Sequence, residues 1–156
     1  MSRDGTRRDI LRGAGALALA AAAVPIVTVR PARATPAEMQ AAIAQVIGEA
    51  KVNEGRVTLD IPPLVENGNT VPCAISVESP MTAADHVKAI HVVSERNPQP
   101  NVISAFLGPR AGRANVSARI RLADTQTVIA LAQMSDGSFW STSVNVIVTV
   151  GACLEE

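Results

Sequence analysis

Val116-Ser117-Ala118-Arg119-Ile120-Arg121-Leu122 changes from apolar to polar at every step. Side chains along a strand point to opposite faces in turn, so Val116, Ala118, Ile120 and Leu122 share one face and Ser117, Arg119 and Arg121 the other. The stretch therefore predicts a strand with one dry and one wet face. Moving downstream, Thr127 to Met134 is more uniformly apolar, and Ser135-Asp136-Gly137-Ser138 predicts a hairpin turn around Asp-Gly. The last run, Phe139 to Val150, sets Val144, Val146, Val148 and Val150 on one side. Moving upstream, strands are predicted over Val102 to Leu107, Asp85 to Ser94 and Thr70 to Val77, punctuated by Gly108-Pro109, Asn97-Pro98-Gln99-Pro100 and Ser79-Pro80. Glu66-Asn67-Gly68-Asn69 reads as a turn with glycine where positive φ is needed. Before it, Val57, Leu59 and Ile61 alternate with Arg56, Thr58 and Asp60 until Pro62-Pro63. About seven strands with turn signals between them predict a mainly β fold, an antiparallel β-sandwich of immunoglobulin-like type. There is no α/β alternation, internal repeat or glycine-rich phosphate loop.

One helix is predicted ahead of the sandwich. Thr35-Pro36-Ala37-Glu38 has the form of a capping box with proline at the first helical position. Met39, Ile43, Val46 and Ile47, with Ala42 and Ala50, make an apolar stripe that ends near Glu54-Gly55. That stripe needs cover, over the end of the sandwich or against another subunit. Phe106, Phe139 and Trp140 are the only aromatic residues, so the core rests on valine, isoleucine, leucine and alanine.

The first residues carry an address. Arg7 and Arg8 precede Gly13 to Val29, a small-residue apolar stretch without charge, which is the form of a twin-arginine export signal. Ala32-Arg33-Ala34 supplies a small-x-small cleavage pattern, so a mature chain is expected from Thr35. The stretch is short for a membrane span and alanine-rich, and no membrane anchor is expected. Residues 1–34 hold six arginines and two aspartates of the 14 basic and 14 acidic residues, leaving 8 basic against 12 acidic. A remainder of that sign argues against nucleic acid as a ligand. Its length suits one hydrophobic core. The organisation expected is signal peptide 1–34, helix 35–55, sandwich 56–150 and a flexible C-terminal cysteine arm 151–156, in the periplasm.

Two cysteines and two histidines are the chemical candidates. His86 and His91 are five apart in a β-like segment and face opposite sides, so with the isolated cysteines they make no metal site. Asp85-His86 reads as a surface pair. Cys73 lies among Val71, Ile75 and Val77, where a thiol behaves as a small hydrophobe. Cys153 follows the last strand and a glycine, where a nucleophilic thiol can leave the folded body and exchange sulfur–sulfur bonds. The competing reading is a disulfide between Cys73 and Cys153, which an oxidising compartment permits. No catalytic residue and no cofactor-binding or metal-binding residue is identified.

Several sequence words, taken together, bring a family into view. They are Leu59-Asp60-Ile61-Pro62-Pro63-Leu64-Val65-Glu66-Asn67-Gly68-Asn69-Thr70-Val71-Pro72, Ser79-Pro80-Met81-Thr82, Asn97-Pro98, Arg119-Ile120-Arg121-Leu122-Ala123, Met134-Ser135-Asp136-Gly137 and the terminal cysteine, behind the twin-arginine signal. In this order they resemble SoxY, the sulfur-carrying subunit family of the periplasmic thiosulfate-oxidising system. The resemblance implies a non-enzymatic carrier that holds thiosulfate or sulfane intermediates covalently on Cys153, with no other cofactor. It implies a heterodimer with a SoxZ-like subunit. It also implies encounters with a c-type cytochrome, a sulfate-releasing hydrolase and a sulfur dehydrogenase.

The family tail resembles Gly-Gly-Cys-Gly-Gly. Gly151 and Cys153 match it, whereas Ala152, Leu154 and Glu155 stand where it has glycines, and Glu156 is extra. Glycines would give the arm freedom and a slim section. Leu154 adds bulk, and Glu155 and Glu156 disfavour the thiolate. Three readings of the tail stay open: tuning to different partners, a weakly active relative, or Leu-Glu appended in cloning. The alternative function is a periplasmic immunoglobulin-like binding or structural module in which the cysteine is incidental or disulfide-bonded.

Overall fold

The computed structural model describes residues 34–152. Residues 1–33, on which the expected export signal falls, and Cys153, Leu154, Glu155 and Glu156 lie outside the described residues. Helix α1 spans Pro36–Ile47 and is followed by nine strands: β1 Val52–Glu54, β2 Val57–Asp60, β3 Leu64–Asn67, β4 Val71–Val77, β5 Val87–Ser94, β6 Asn101–Phe106, β7 Ala114–Ile120, β8 Gln126–Met134 and β9 Phe139–Val150. The smaller sheet has the order β2-β4-β7, and the larger β1-β9-β8-β5-β6 with β3 also on β9. The long strands pair antiparallel, as the alternation predicts.

Two short strands join β9 in parallel. Val52–Glu54 pairs with Phe139–Ser141, and Leu64–Asn67 with the Ile147–Val150 end. Neither is expected from the sequence, in which the first falls inside the helical segment and the second runs into a turn. The helix is shorter than the expected 35–55 segment because Gly48 turns the chain at φ 61 and Val52 enters the sheet. Gly55 at φ 103 and Arg56 at φ 54 then carry the chain from one sheet to the other. The Arg56 guanidinium sits 4.9 Å from the Trp140 ring centroid, a cation–π contact that covers this corner.

The core follows the period-two pattern. Val71, Ile75, Ile90, Val92, Val128, Ala130, Met134 and Val146 meet between the sheets with almost no exposure. On β8 the opposite parity, Ile129 and Leu131, lies on the other face, and there α1 packs with Met39, Ile43 and Ile47, together with Val93 and Val52. The stripe thus covers the outer face of the larger sheet. The Thr35 hydroxyl accepts from the Glu38 amide while the Glu38 carboxylate accepts from the Thr35 amide, so the predicted capping box is present.

Candidate functional site at the root of the C-terminal arm

β9 ends at Val150, and two separate segments, at Gly68 and at Leu122–Ala123, converge on the residues that follow it. The Gly68 amide donates to the Val150 carbonyl at 2.8 Å, the Leu122 amide to the Gly68 carbonyl at 2.8 Å, and the Ala152 amide to the Leu122 carbonyl at 2.9 Å. These three bonds form a closed circuit that leaves the terminal segment at Val150 and returns to it at Ala152. Residue 68 must be glycine for this to close. A Cβ there would strike the Leu122 carbonyl oxygen and come within 2.9 Å of the Ala152 nitrogen. A positive φ does not apply at Gly68, contrary to the turn expectation, because β3 runs extended into it and close approach makes the demand.

Gly151 is governed in the same way. A Cβ on it would strike the Ala123 carbonyl oxygen. Ala152 is buried, at 8% exposure. Gly151 and Ala152, the first residues of the expected arm, thus pack against the body. Glycine permits close packing as readily as it permits motion.

Asn97 stiffens this end of the sandwich. Its side-chain amide donates to the Arg121 carbonyl at 2.8 Å, and its side-chain oxygen accepts from the Ala123 amide and from Gln126 Nε2, each at 3.0 Å. Its own carbonyl accepts from the Ala34 amide at 2.9 Å. Thr125 Oγ1 accepts from the Val148 amide at 3.0 Å and ties the same loop to β9. Three of the sequence words, around Asn67-Gly68-Asn69, Asn97-Pro98 and Arg121-Leu122-Ala123, thus meet where the chain passes to Cys153. Two others meet around the Met134 end of β8, where the His86 amide donates to Ser135 Oγ, the Ser135 amide to the His86 carbonyl, and Met81 packs in the core.

Cys73 is a different kind of thiol. It lies on β4 at 2% exposure, carries no disulfide, and faces the core between Val71 and Ile75. Burial, and secondarily the Asp60 carboxylate, raise its pKa, so it stays protonated and unreactive near neutrality.

The histidines are apart in environment as well as in sequence. His86 precedes β5, its Nδ1 3.1 Å from the Thr82 carbonyl, and Asp85 engages Thr82 through backbone groups. His91 lies on the outer face, Nδ1 3.0 Å from Ser104 Oγ and its ring edge-on to Phe106. Burial lowers its pKa. Among the described residues no group of three or more His, Cys, Asp or Glu side chains is placed to hold a metal ion. Among the same residues, no helix is long and apolar enough to cross a membrane.

The family profile described as "Sulfur oxidation protein SoxY" matches residues 43–153 and so reaches from α1 through Cys153. The chain belongs to the SoxY family. The solved structure of the sulfur carrier protein SoxY from Chlorobium limicola f thiosulfatophilum superposes with a TM-score of 0.62 at 26% identity, covering 73% of this chain and 98% of that one. A superoxide reductase (neelaredoxin) from Ignicoccus hospitalis has a TM-score of 0.54 at 16% identity, over 74% of this chain and 94% of that one. The superoxide reductase from Nanoarchaeum equitans gives 0.52 at 12%, over 62% and 99%. At such identities the likeness to these two reductases shows a common fold alone. No curated protein sequence matches the chain. The sequence displays the SoxY words but not their meeting place, because Gly68, Asn97 and Leu122 are joined only by tertiary contacts.

Proposed function

We propose that this SoxY chain carries sulfur intermediates as covalent adducts on Cys153 and presents them to partner enzymes in the periplasm after twin-arginine export. The observation that supports this most is the root of the arm. Tertiary bonds hold the chain through Ala152, and a thiol follows as the very next residue, while the other thiol is sealed in the core. Family membership and the named sulfur carrier among its structural relatives support the same reading.

The chemistry asks little of the sandwich. The Cys153 thiolate and thiosulfate join through a new sulfur–sulfur bond, losing two electrons to a c-type cytochrome partner and giving Cys–S–S–SO3⁻. Water attacks the terminal sulfone on a hydrolase, releasing sulfate and two protons and leaving the persulfide Cys–S–S⁻. Oxidation of that sulfane by a sulfur dehydrogenase and a second hydrolysis restore the thiol. The carrier supplies the nucleophilic sulfur, and its partners supply electron acceptor and base. A SoxZ-like subunit completes the heterodimer.

Intact-mass measurement after incubation with thiosulfate and the oxidising partner tests the reading. The expected result is an adduct on the peptide containing Cys153 that is lost on reduction and absent from Cys153→Ala. A protein whose thiosulfate-dependent electron transfer survives Cys153→Ala would be a binding module instead.

A further inference from the structure

Charge is spread unevenly over the sandwich. Residues 96–123 hold five arginines and no aspartate or glutamate, whereas the rest of the chain from Thr35 has three basic against twelve acidic residues. The fold gathers this stretch onto one flank. β2 packs across β9 and β8, so β7, at the far edge of the smaller sheet, lies toward β6, the far edge of the larger. Val102 and Ile103 of β6 and Val116 of β7, each half-buried, close the core margin there. The opposite flank, formed by β1, β2 and β3, exposes Glu54, Asp60 and Glu66. We propose that the β6–β7 flank is a docking face for an acidic protein partner, and that the enzyme loading the carrier approaches by it. The face goes beyond carriage, and rests on that reading only for the identity of the partner.

The arginines of the flank are available. Arg96 meets Asp124 at 3.3 Å, but Arg110, Arg113, Arg119 and Arg121 are exposed and make no hydrogen bond or ion pair among the described residues. Arg119 lies in β7 and Arg121 just past its end, while Arg110 and Arg113 lie in and after the turn Pro109–Ala111. β7 sets these two pairs roughly 20 Å apart, the span of a partner's surface rather than of a small anion. Arg121 also adjoins Leu122, whose carbonyl accepts from the Ala152 amide, so a partner seated on the flank sits beside the root of the arm.

The chemistry of the flank selects the occupant. Guanidinium groups pair with carboxylates through two parallel hydrogen bonds. Exposed pairs of this kind add little to tightness, so their effect falls on the rate and orientation of encounter. β6 and β7 each leave one edge unpaired, and a strand can satisfy those backbone groups where a lipid headgroup cannot. Phe106, which ends β6 at 79% exposure, supplies an aromatic contact of the sort that protein interfaces favour. A second copy of this chain could offer its own acidic flank, but that head-to-tail contact leaves one flank of each kind uncovered and does not close. A different protein with a carboxylate-rich face fits the flank better.

The test follows association of the full chain with the purified c-type cytochrome partner by stopped flow at rising salt, using Cys153→Ala so that no adduct forms. Arg119→Gln combined with Arg121→Gln removes two positive charges from the flank. Lys51→Glu makes the same change in net charge beside β1, on the opposite flank. All three side chains are exposed, and unchanged melting temperatures establish that the variants fold. At low salt the arginine variant is expected to associate at least about five-fold more slowly with little change in dissociation, and Lys51→Glu to match the parent. The difference should fade as salt approaches about 0.5 M. An unchanged rate in the arginine variant, or equal slowing by Lys51→Glu, would overturn the proposal. So would self-association of the chain alone, or flotation with phosphatidylglycerol vesicles, that is lost in the arginine variant, since a second copy or a membrane would then be the occupant. Adduct formation on Cys153 in the parent is scored separately by mass. An absent adduct removes the carriage reading and leaves the rate result standing, whereas an adduct with salt-insensitive association removes the docking face alone.

Discussion

The Leu122 carbonyl passes over the α-carbon of Gly68 in the space a side chain would fill, while the Leu122 amide donates to the Gly68 carbonyl at 2.8 Å. The two backbones are therefore locked at a separation that only glycine permits.

Gly68→Ala is expected to destabilise the protein by about 2 kcal/mol or more, since the obstructing atoms are backbone and cannot rotate away. Denaturant unfolding monitored through Trp140 measures it. A midpoint equal to the parent's would mean that the loop relaxes freely and the close approach is not a constraint.

Asn97→Ala should cost about 1–3 kcal/mol, because the Arg121 carbonyl, the Ala123 amide and Gln126 Nε2 each lose a partner. Amide exchange resolved by residue gives the sharper check. Ala123 should lose protection, whereas Ile90 in the middle of β5 should keep it.

Stability should fall on acidification through His91. Burial holds its pKa below the ordinary histidine value of about 6.5. Between those two values the unfolded chain binds the extra proton, so the contribution is fully present above about pH 6.5 and is lost as pH falls through the folded value. Melting temperatures from about pH 7 down to pH 5 should decline in the parent and decline less in His91→Gln. Parallel curves for the two proteins would assign the acid sensitivity elsewhere.

Cys73 should resist alkylation in the folded protein near neutral pH and react on unfolding, leaving Cys153 as the one thiol modified under native conditions. Because its folded pKa is raised, stability should erode as pH rises past the ordinary thiol value of about 8.5, where only the unfolded chain gives up the proton. Peptide mapping after native and denatured alkylation distinguishes the sites. Native labelling of Cys73 would show that the core opens readily.

The long strands are legible because each carries its own alternation: Phe139–Val150 has the same bounds in sequence and structure, and Val116 to Ile120 keeps its wet and dry faces. β1 and β3 are not. A three- or four-residue strand has too few side chains to display a period, and both owe their existence to β9, which lies more than 80 residues further along the chain. The capping box fixes the helix start locally, but the helix end depends on Val52 being claimed by Phe139. At the candidate site, Cys153 is visible as chemistry, whereas the seat under Gly151 and Ala152 is hidden because its other half belongs to Gly68, Leu122 and Ala123.

β9 lies between β8 on one side and the short β1 and β3 on the other, although it is the last strand of the sandwich to be made. Its Phe139 end secures β1 and its Val150 end secures β3, so neither early segment has a permanent neighbour until residues 139–150 leave the ribosome. Synthesis cannot complete the larger sheet strand by strand. Closure waits for residues 139–150, and the same event that finishes the sandwich also brings Ala152 to its seat on Leu122.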